Sequence, residues 1–172
     1  MKTILTTKRL ILREMTQADL PALAAILRDR ETMYAYEGAF TQEETQAWLT
    51  RQLARYETDG FGLWAVCLKK TGEMIGQAGV TMQPVEDEQV PEIGYLFNRA
   101  HWHKGYAAEA AIACKRYAFE VLGFSEIYSI IRDTNIASMN VAIRNGMTIR
   151  KRFIKHYRGV DMPHFLFGGK KE

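Results

Sequence analysis

The sequence contains 172 residues, of which 47% are hydrophobic and 25% are charged, and its formal net charge is +3. These values are typical of one globular domain and exclude a disordered or collagen-like chain. The small net charge argues against a nucleic-acid binder, because such proteins neutralise many phosphates with Lys and Arg. We therefore predict a single domain over residues 1–172.

The cysteines and the apolar segments bear on the location of the protein. Cys67 and Cys114 are the two cysteines, each inside an apolar segment, so the disulfide framework of a secreted domain is not predicted. Residues 1–13 lack the apolar core of a signal peptide, and no stretch approaches the roughly 18 apolar residues of a membrane span. We expect a cytoplasmic protein without a membrane partner.

The N-terminal part of the chain predicts one strand followed by two helices. Residues 9–13 alternate between apolar and polar side chains, which indicates a strand. Thr16 with Asp19, and Thr41 with Glu44, are spaced as in capping boxes, so a helix is expected to begin at each threonine. The expected ends of these helices are residues 29–31 and Thr58.

The middle of the chain changes to a period of two residues, which is typical of strands. Alternating side chains predict strands over 63–68, 74–82 and 92–97. A turn at 69–72 joins the first two, and an acidic loop at 86–88 precedes the third. The three strands are therefore expected to form a meander.

The C-terminal half alternates between helix and strand patterns. A helix entered at residues 102–110 and ending near Leu122 carries small residues on one face, so its axis can lie close to a sheet. A strand over 127–132 and a short helix over 135–145, closed by Gly146, follow it. These elements predict a βαβ unit. The last two predicted strands are 148–156 and 162–167.

The junction between strand 92–97 and the next helix has the properties of a phosphate site. Unpaired N–H groups and a partial positive charge at a helix N-terminus favour bound phosphate. Gly105 and Ala107 would let a diphosphate approach the backbone, although an ordinary turn into a helix is the alternative. The glycine spacing fits neither a Walker loop nor a dinucleotide fingerprint, which disfavours nucleotide triphosphate chemistry.

Several segments, taken in order, resemble the GCN5-related N-acetyltransferase (GNAT) superfamily, and within it the RimJ/RimL-like branch that acetylates protein N-termini. The resembling segments are residues 9–13, Gly76, Gly79, 92–95, 102–107, Asn135 with Ser138, and 141–147. The loop of the superfamily usually begins with Gln or Arg, whereas Trp102 stands there in this chain, as it often does in this branch.

This resemblance implies an α/β (α+β) fold, with a mixed, mostly antiparallel sheet of six to seven strands, one splayed parallel pair and about four helices. It implies acetyl-CoA as the donor, with its diphosphate on the backbone N–H groups of residues 103–108 and its pantetheine arm paired with the strand around 93–97. The implied cofactor-binding residues are Ile93, Tyr95, Leu96, Phe97, His103, Lys104, Gly105, Tyr106, Ala107, Ala108, Asn135 and Ser138.

Glu92 matches the position at which several family members carry a general base. A solvated carboxylate at a strand end is the alternative interpretation. The demand on such a base depends on the acceptor. An α-amine with a pKa near 8 is roughly a tenth neutral at pH 7, whereas a lysine amine is neutral only about one part in several thousand. An N-terminal amine, or another amine with a low pKa, would therefore need less proton removal by Glu92.

Asn135 and Ser138 lie one turn apart at the start of the short helix, where helix capping is one interpretation. The resemblance instead gives Asn135 a hydrogen bond to the CoA arm and Ser138 the hydroxyl nearest the sulfur. Many family members place a Tyr four residues further on, where this chain has Ala142, so Ser138 or a water would protonate the thiolate. A thiol with a pKa of about 8.5 leaves without much help from such an acid.

Other candidate residues predict little chemistry of their own. His101 and His103 have a metal-like spacing without acidic or thiol partners at ligand intervals, so we expect no metal. Cys114 is expected to be a core thiol. Basic residues within 150–158 are typical of a solvated hairpin, with recognition of an acidic partner as the alternative. Aromatic residues near the two early helices wall the acceptor site in the resembling family and could equally pack in the core. They are Tyr34, Tyr36, Phe40 and Trp48.

We therefore predict an acetyl-CoA-dependent N-acetyltransferase that works by direct attack of a primary amine in a ternary complex, since no activated nucleophile is evident near the expected sulfur. By likeness, the acceptor is a protein N-terminal α-amine. A small-molecule acceptor such as a polyamine, an amino acid or an aminoglycoside remains open, as does a CoA-binding module without catalysis. No nucleic-acid partner is expected, and the chain is compatible with a monomer or a homodimer.

Overall fold

In the computed structural model, which describes residues 2–171, helices cover both faces of one mixed sheet of eight strands. The strands are β1 (Thr3–Thr6), β2 (Leu10–Arg13), β3 (Leu63–Leu68), β4 (Met74–Val85), β5 (Glu88–Phe97), β6 (Glu126–Arg132), β7 (Thr148–Tyr157) and β8 (Val160–Lys170). The α-helices are α1 (Leu20–Leu27), α2 (Gln42–Thr58), α3 (Tyr106–Glu120) and α4 (Ile136–Arg144). Among the described residues, no helix is both long and apolar enough to span a membrane.

The strand order is β1-β2-β3-β4-β5-β6-β8-β7, and every neighbouring pair is antiparallel except β5 and β6. These two parallel strands share a single residue pair, Glu92 with Tyr128. Beyond it they diverge, although the Ser129 hydroxyl still donates a hydrogen bond to the carbonyl of Ile93 at 2.9 Å. The predicted mostly antiparallel sheet with one splayed parallel pair is therefore confirmed.

The sheet contains one strand more than the six to seven predicted. The prediction omits β1, because its residues, Thr3–Thr6, do not alternate between buried and exposed positions. β1 lies at the sheet edge, where it pairs with β2 across an irregularity between Thr3 and Leu5. A short edge strand buries too little surface to leave a hydrophobic pattern in the sequence.

Several element boundaries also differ from the prediction. α1 ends at Leu27 rather than at residues 29–31, and α3 begins at Tyr106, after a separate 3₁₀ turn. β5 begins at Glu88, because Glu86 adopts a left-handed conformation with φ of 53° and closes a tight turn after β4. Because the side chains at this turn are charged and exposed, the sequence there lacks the alternation of apolar and polar residues that predicts a strand.

Side-chain caps fix the starts of the two early helices. The N–H of Glu44 donates to the Thr41 hydroxyl at 3.1 Å, and the N–H of Thr41 donates to the Glu44 carboxylate at 2.7 Å. This capping box was predicted from the sequence and is confirmed. The N–H of Thr16 donates to the carboxylate of Asp19 at 2.7 Å, and a 3₁₀ turn leads from there into α1.

Two cores hold the helices against the sheet. α3 packs through Ala110, Ala111, Cys114 and Ala118, which are fully buried, so the predicted small-residue face is confirmed at these positions. Val121, which the sequence predicts on the same face, follows the last residue of α3 and is 63% exposed. On the opposite face, α1 and α2 form a second core with β3. Because β3 sends alternate side chains to each core, it is apolar on both faces.

Gly79 is held where β4 passes close to the backbone before β3. A Cβ added at Gly79 would lie 2.0 Å from the carbonyl oxygen of Gly62. We expect Gly79→Ala to lower the free energy of unfolding by at least about 3 kcal/mol, because backbone must move to admit the methyl group. Gly72→Ala is the control, since nothing lies within 4 Å of that Cβ and only its left-handed φ of 76° opposes the change, at about 1 kcal/mol. Denaturant unfolding that finds equal losses would contradict the prediction.

Candidate active site

The divergence of β5 from β6 opens a cavity of about 310 Å³ in the middle of the sheet. Six residues proposed from the sequence line it together, although they are far apart in the chain. These are Glu92, Ile93, Tyr95, Leu96, Asn135 and Ser138. Phe97 lies in the core beside them, at 4% exposure. The loop before α3 does not line this cavity.

The edge of β5 that faces the cavity has no adjacent strand over most of its length. β5 pairs with β4 from Glu88 to Phe97 but with β6 only at Glu92 within the described residues. Gly94 adds space beside this edge, since a Cβ there would come near only the Leu63 side chain, at 3.2 Å. An extended ligand can therefore lie along residues 93–97 and take the hydrogen bonds that a strand would otherwise make.

The loop between β5 and α3 presents a run of free amides. Gly105 is the residue before α3 and adopts φ of 80°, and His103 adopts φ of 60°. In the part of the chain that the structure describes, the backbone N–H groups of residues 103–108 donate no hydrogen bond. Six consecutive amides at the positive end of a helix form a seat for an anion such as a diphosphate.

Arg9, in the connection between β1 and β2, holds this loop in place. Its Nη1 donates to the carbonyl oxygen of Lys104 at 2.9 Å, and its Nε donates to the Glu109 carboxylate at 2.7 Å. Its guanidinium also lies 4.4 Å from the centre of the Tyr106 ring. The backbone before α3 is thus tied to α3 itself through a single side chain from the other end of the chain.

Glu109 completes this support. Besides Arg9, its carboxylate accepts a hydrogen bond from the Thr7 hydroxyl at 2.6 Å. Burial raises the pKa of Glu109, but the hydrogen bonds from Thr7 and Arg9 outweigh burial, so the pKa is lowered overall. The carboxylate therefore stays ionised and keeps Arg9 in position at neutral pH.

With acetyl-CoA as the donor that the family resemblance implies, we expect Arg9→Gln to raise the KM for acetyl-CoA by about three- to tenfold while kcat stays within about twofold of wild type. The reason is that the variant loses charge-assisted hydrogen bonds to the loop and to Glu109. Steady-state kinetics at saturating acceptor measures both constants. Lys8→Gln, at the neighbouring exposed position, is the control with the same change of charge. A fall in kcat without a change in KM would show that Arg9 does not position the donor site.

Glu92 is the carboxylate that lines the cavity. It is half-buried, lies opposite Thr81 of β4, and accepts from the N–H of Ile130 at 3.4 Å. Burial raises its pKa above the usual range, against the opposing effect of Lys155 and the N–H of Ile130. A carboxylate with a raised pKa is a stronger base than an ordinary glutamate once it is ionised.

Asn135 and Ser138 have structural contacts in addition to their place in the cavity. The side-chain oxygen of Asn135 accepts from the N–H of Ser138 at 3.1 Å and from the hydroxyl of Tyr34 at 2.7 Å. The capping interpretation of Asn135 is therefore confirmed. The Tyr95 hydroxyl donates to the carbonyl of Ser138 at 2.7 Å. These contacts leave the Ser138 hydroxyl for the cavity.

Two of the four aromatic residues that the sequence placed near the acceptor site line the cavity. Tyr36 and Trp48 line the cavity, and Phe40 packs behind them with its ring centre 5.7 Å from that of Trp48. Tyr34 is 44% exposed and contacts Asn135. Cys114 is buried, and burial raises the pKa of its thiol. No group of His, Cys, Asp and Glu suited to a metal ion occurs among residues 2–171.

Several polar residues of the cavity were not predicted from the sequence. Four side chains of α2 line it at helical spacing, and β4, β7 and β8 add three, two and one polar residues. Trp48 was named from the sequence, and the residues of these elements that were not are Arg51, Gln52 and Arg55 of α2, Gln77, Thr81 and Gln83 of β4, Lys155 and Tyr157 of β7, and His164 of β8. The spacing on α2 is a signal that the sequence contained, because residues at i, i+3, i+4 and i+7 share one helix face. Gln77 and His164 are polar residues within apolar strands, which is a weaker signal.

His164 is buried beside the cavity in its neutral form. Its Nδ1 lies 2.9 Å from the carbonyl oxygen of Met162, so this nitrogen carries the proton as donor. Burial lowers the pKa of the imidazole, and Lys155 and Arg132 oppose its protonation further. A neutral histidine adds no charge to the cavity at physiological pH.

Comparison with known proteins agrees with this geometry. Residues 9–148 match the family model described as an acetyltransferase (GNAT) domain. The chain therefore belongs to the GNAT acetyltransferase family. It is an acyltransferase whose donor is acetyl-CoA, as in the rest of the family. The free edge of β5 and the amides of residues 103–108 fit an extended arm that ends in a diphosphate.

Individual relatives cover nearly the whole chain. The YkkB protein of Bacillus subtilis is 39% identical over 155 residues, which are 87% of this chain and 90% of that protein. A crystal structure of an acetyltransferase from Agrobacterium tumefaciens is 30% identical, with a TM-score of 0.81 over 97% of this chain and 94% of that one. The ribosomal α-N-protein acetyltransferase RimL, solved in complex with coenzyme A, shares the fold at 18% identity, with a TM-score of 0.80 over 98% of both chains.

Proposed function

We propose that the protein transfers the acetyl group of acetyl-CoA directly to a primary amine in a ternary complex, and that the acceptor is the α-amine of a protein or peptide. The observation that carries this proposal is the cleft beside β5. It combines an unpaired strand edge with a single half-buried carboxylate, Glu92, and the same strand leads at its other end into the loop of free amides before α3.

The chain's own residues divide the work between binding and proton transfer. The amides of residues 103–108 would hold the diphosphate, and the edge of residues 93–97 would hold the pantetheine arm. Acetyl-CoA supplies the activated thioester. Glu92 would take a proton from the attacking amine, directly or through a water, and Ser138 or a water would return a proton to the departing thiolate. Backbone N–H groups of β5 would stabilise negative charge on the carbonyl oxygen.

Direct transfer is favoured over an acetyl-enzyme because the cavity offers no activated nucleophile. Among the described residues, no cysteine lines it, and both Cys67 and Cys114 are buried elsewhere. Ser129 uses its hydroxyl to bind the carbonyl of Ile93. A serine becomes a nucleophile when a base holds its proton. The described contacts of Ser138 are made by its backbone, whose N–H donates to the Asn135 side chain and whose carbonyl accepts from the Tyr95 hydroxyl.

An α-amine acceptor suits a site with one carboxylate. An α-amine has a pKa of about 7.7–8.0, so a useful fraction is already neutral at pH 7. A lysine amine would require a far stronger base. The name of RimL describes an α-N-protein acetyltransferase, and the shared fold supports the same type of acceptor here. We further propose a cytoplasmic location, which the two buried, unpaired thiols support.

The proposal is tested by an acceptor screen with acetyl-CoA. Short peptides with free N-termini, the same peptides with blocked N-termini, diamines, amino acids and aminoglycosides are compared. Release of the CoA thiol and the mass of one added acetyl group are measured. We expect acetylation of the free peptides and none of the blocked ones. Turnover confined to polyamines or aminoglycosides would contradict the peptide acceptor and indicate a small-molecule acceptor. CoA binding without any turnover would indicate a non-catalytic module.

A further inference from the structure

One wall of the cavity carries three positive side chains, and among the described residues a single lining carboxylate, Glu92, faces them. Arg51 and Arg55 of α2 and Lys155 of β7 line it, and none of them forms an ion pair within residues 2–171. By contrast, Arg132 at the same cavity is paired with Glu37 at 2.6 Å. Glu92 is the one carboxylate among the described lining residues.

The two arginines are held close to each other. They lie one helical turn apart on α2, and the guanidinium of Arg51 lies 5.6 Å from the centre of the Trp48 ring. Arg55 is half-buried and donates to the side chain of Gln52 at 3.3 Å. Burial lowers the pKa of Arg55 and the neighbouring charge of Arg51 lowers it further, while Asp59 and Glu92 oppose the shift without reversing it. Like charges on one helix face are unfavourable unless an anion lies between them.

Gln77, in the same wall, has a side-chain donor without a hydrogen-bond partner among residues 2–171. Its side chain is fully buried and lines the same cavity. Its Oε1 accepts from Nε1 of Trp48 at 2.9 Å, which leaves Nε2 as the free end of the amide. Within the described residues, Nε2 has no partner. Because Gln77 is fully buried, this unpaired donor lies within the wall behind Trp48 and not on the surface that a ligand would contact.

We propose that this wall selects acceptors whose reacting amine lies near a carboxylate. The anion would be bound by Arg51 and Arg55, while the amine points toward Glu92. This inference rests on the proposed function and narrows its acceptor class. Two sources share the chemistry: a peptide with Asp or Glu among its first residues, and a free amino acid. The same positive wall repels polyamines and aminoglycosides.

Matched acceptors test the proposal. Two peptides of equal length that begin Ser-Asp and Ser-Asn differ only by the charge of one side chain, and a third begins Ser-Lys. We expect kcat/KM for Ser-Asp to exceed that for Ser-Asn by at least about tenfold at low salt, the factor of one charged hydrogen bond. Ser-Lys should be the poorest acceptor. The Ser-Asp advantage should shrink as ionic strength rises. Equal values for all three peptides would overturn the proposal.

Variants identify the residues responsible. The double variant Arg51→Gln/Arg55→Gln should reduce the Ser-Asp to Ser-Asn ratio to about one, and Arg51→Lys/Arg55→Lys should keep part of it because the charge remains. Arg116→Gln/Arg144→Gln, at exposed sites on α3 and α4 outside the cavity, is the control that removes the same two charges. An unchanged ratio in the Gln double variant would reject these two arginines as the anion site.

A binding experiment distinguishes a failure of this inference from a failure of the proposed function. Calorimetry measures the affinity of the same peptides, and of serine against serinamide, for the protein saturated with CoA. Tighter binding of the carboxylate-bearing partner supports the inference even if no amine is turned over, in which case the proposed function alone fails. Preference for serine over the Ser-Asp peptide would identify a free amino acid as the source. Turnover with no carboxylate preference in either assay would sink the inference and leave the proposed function intact.

Discussion

Replacing Gly105 with valine is expected to raise the KM for acetyl-CoA by at least about tenfold. Gly105 precedes α3 with φ of 80°, a conformation that a β-branched residue adopts only with strain. The protein itself leaves room for a side chain, since the nearest atom to an added Cβ is a terminal nitrogen of Arg9 at 3.5 Å. The loss would therefore come from a displaced run of amides and from occupation of the space of the diphosphate.

Gly123→Val is the matched control for this prediction. Gly123 follows the other end of α3, with φ of 77° and nothing within 4 Å of an added Cβ. Both variants should lose comparable stability, on the order of 1–2 kcal/mol. Steady-state kinetics and calorimetry with CoA should then separate them, because only Gly105→Val touches the proposed diphosphate seat. Equal donor affinity in the two variants would remove the loop from the binding site.

Glu92→Gln should lower kcat by about a hundredfold or more near neutral pH while leaving the affinity for acetyl-CoA unchanged. That factor is the lower end of what a positioned general base contributes. Burial raises the pKa of Glu92, and a base works only when ionised, so wild-type activity should fall as pH drops through this raised pKa. The variant should lose this dependence and keep only that of the amine. Pre-steady-state rates across pH 5–9, as a rough range around the two groups, measure both profiles.

A control variant and a stability measurement test the role assigned to Glu92. Glu88→Gln, at the exposed start of the same strand, should keep the wild-type pH profile. The stability of Glu92→Gln should also differ from wild type in a defined direction. Because the pKa of Glu92 is higher in the folded chain than in the unfolded one, its ionisation favours unfolding as pH rises above the unfolded value. The variant should thus be at least as stable as wild type at pH 8, and a clear loss of stability there would contradict a desolvated carboxylate.

Local patterns predicted most of the fold. The capping box at Thr41, the small face of α3 and the change to a period of two before β3 each follow from neighbouring residues, and the structure confirms them. β1 and the early start of β5 were missed for the same physical reason. β1 is a four-residue edge strand whose Ile4 and Leu5 are only partly buried, and β5 begins at a turn with exposed Glu88 and Gln89, so burial imposes no clear period on either segment.

The candidate site was predictable only in part, because much of it depends on contacts between distant residues. The contact of Arg9 with Glu109 spans 100 positions, and nothing near either residue indicates the other. The free Nε2 of Gln77 becomes meaningful only once Trp48 is known to bind its Oε1. A motif can place residues that follow one another in the chain, whereas charge balance in a cavity is a property of the folded molecule.

The single residue pair between β5 and β6 leaves the sheet as two ribbons, of five and three strands, joined by packed helices. A coenzyme arm bound along β5 would bridge these ribbons, so part of its binding free energy would also oppose their separation. A ligand that binds only the folded chain stabilises it by about 1.4 kcal/mol at ten times its Kd. Abundant acetyl-CoA would thus protect the protein from proteolysis, and starvation for the donor would shorten its lifetime as well as slow its reaction.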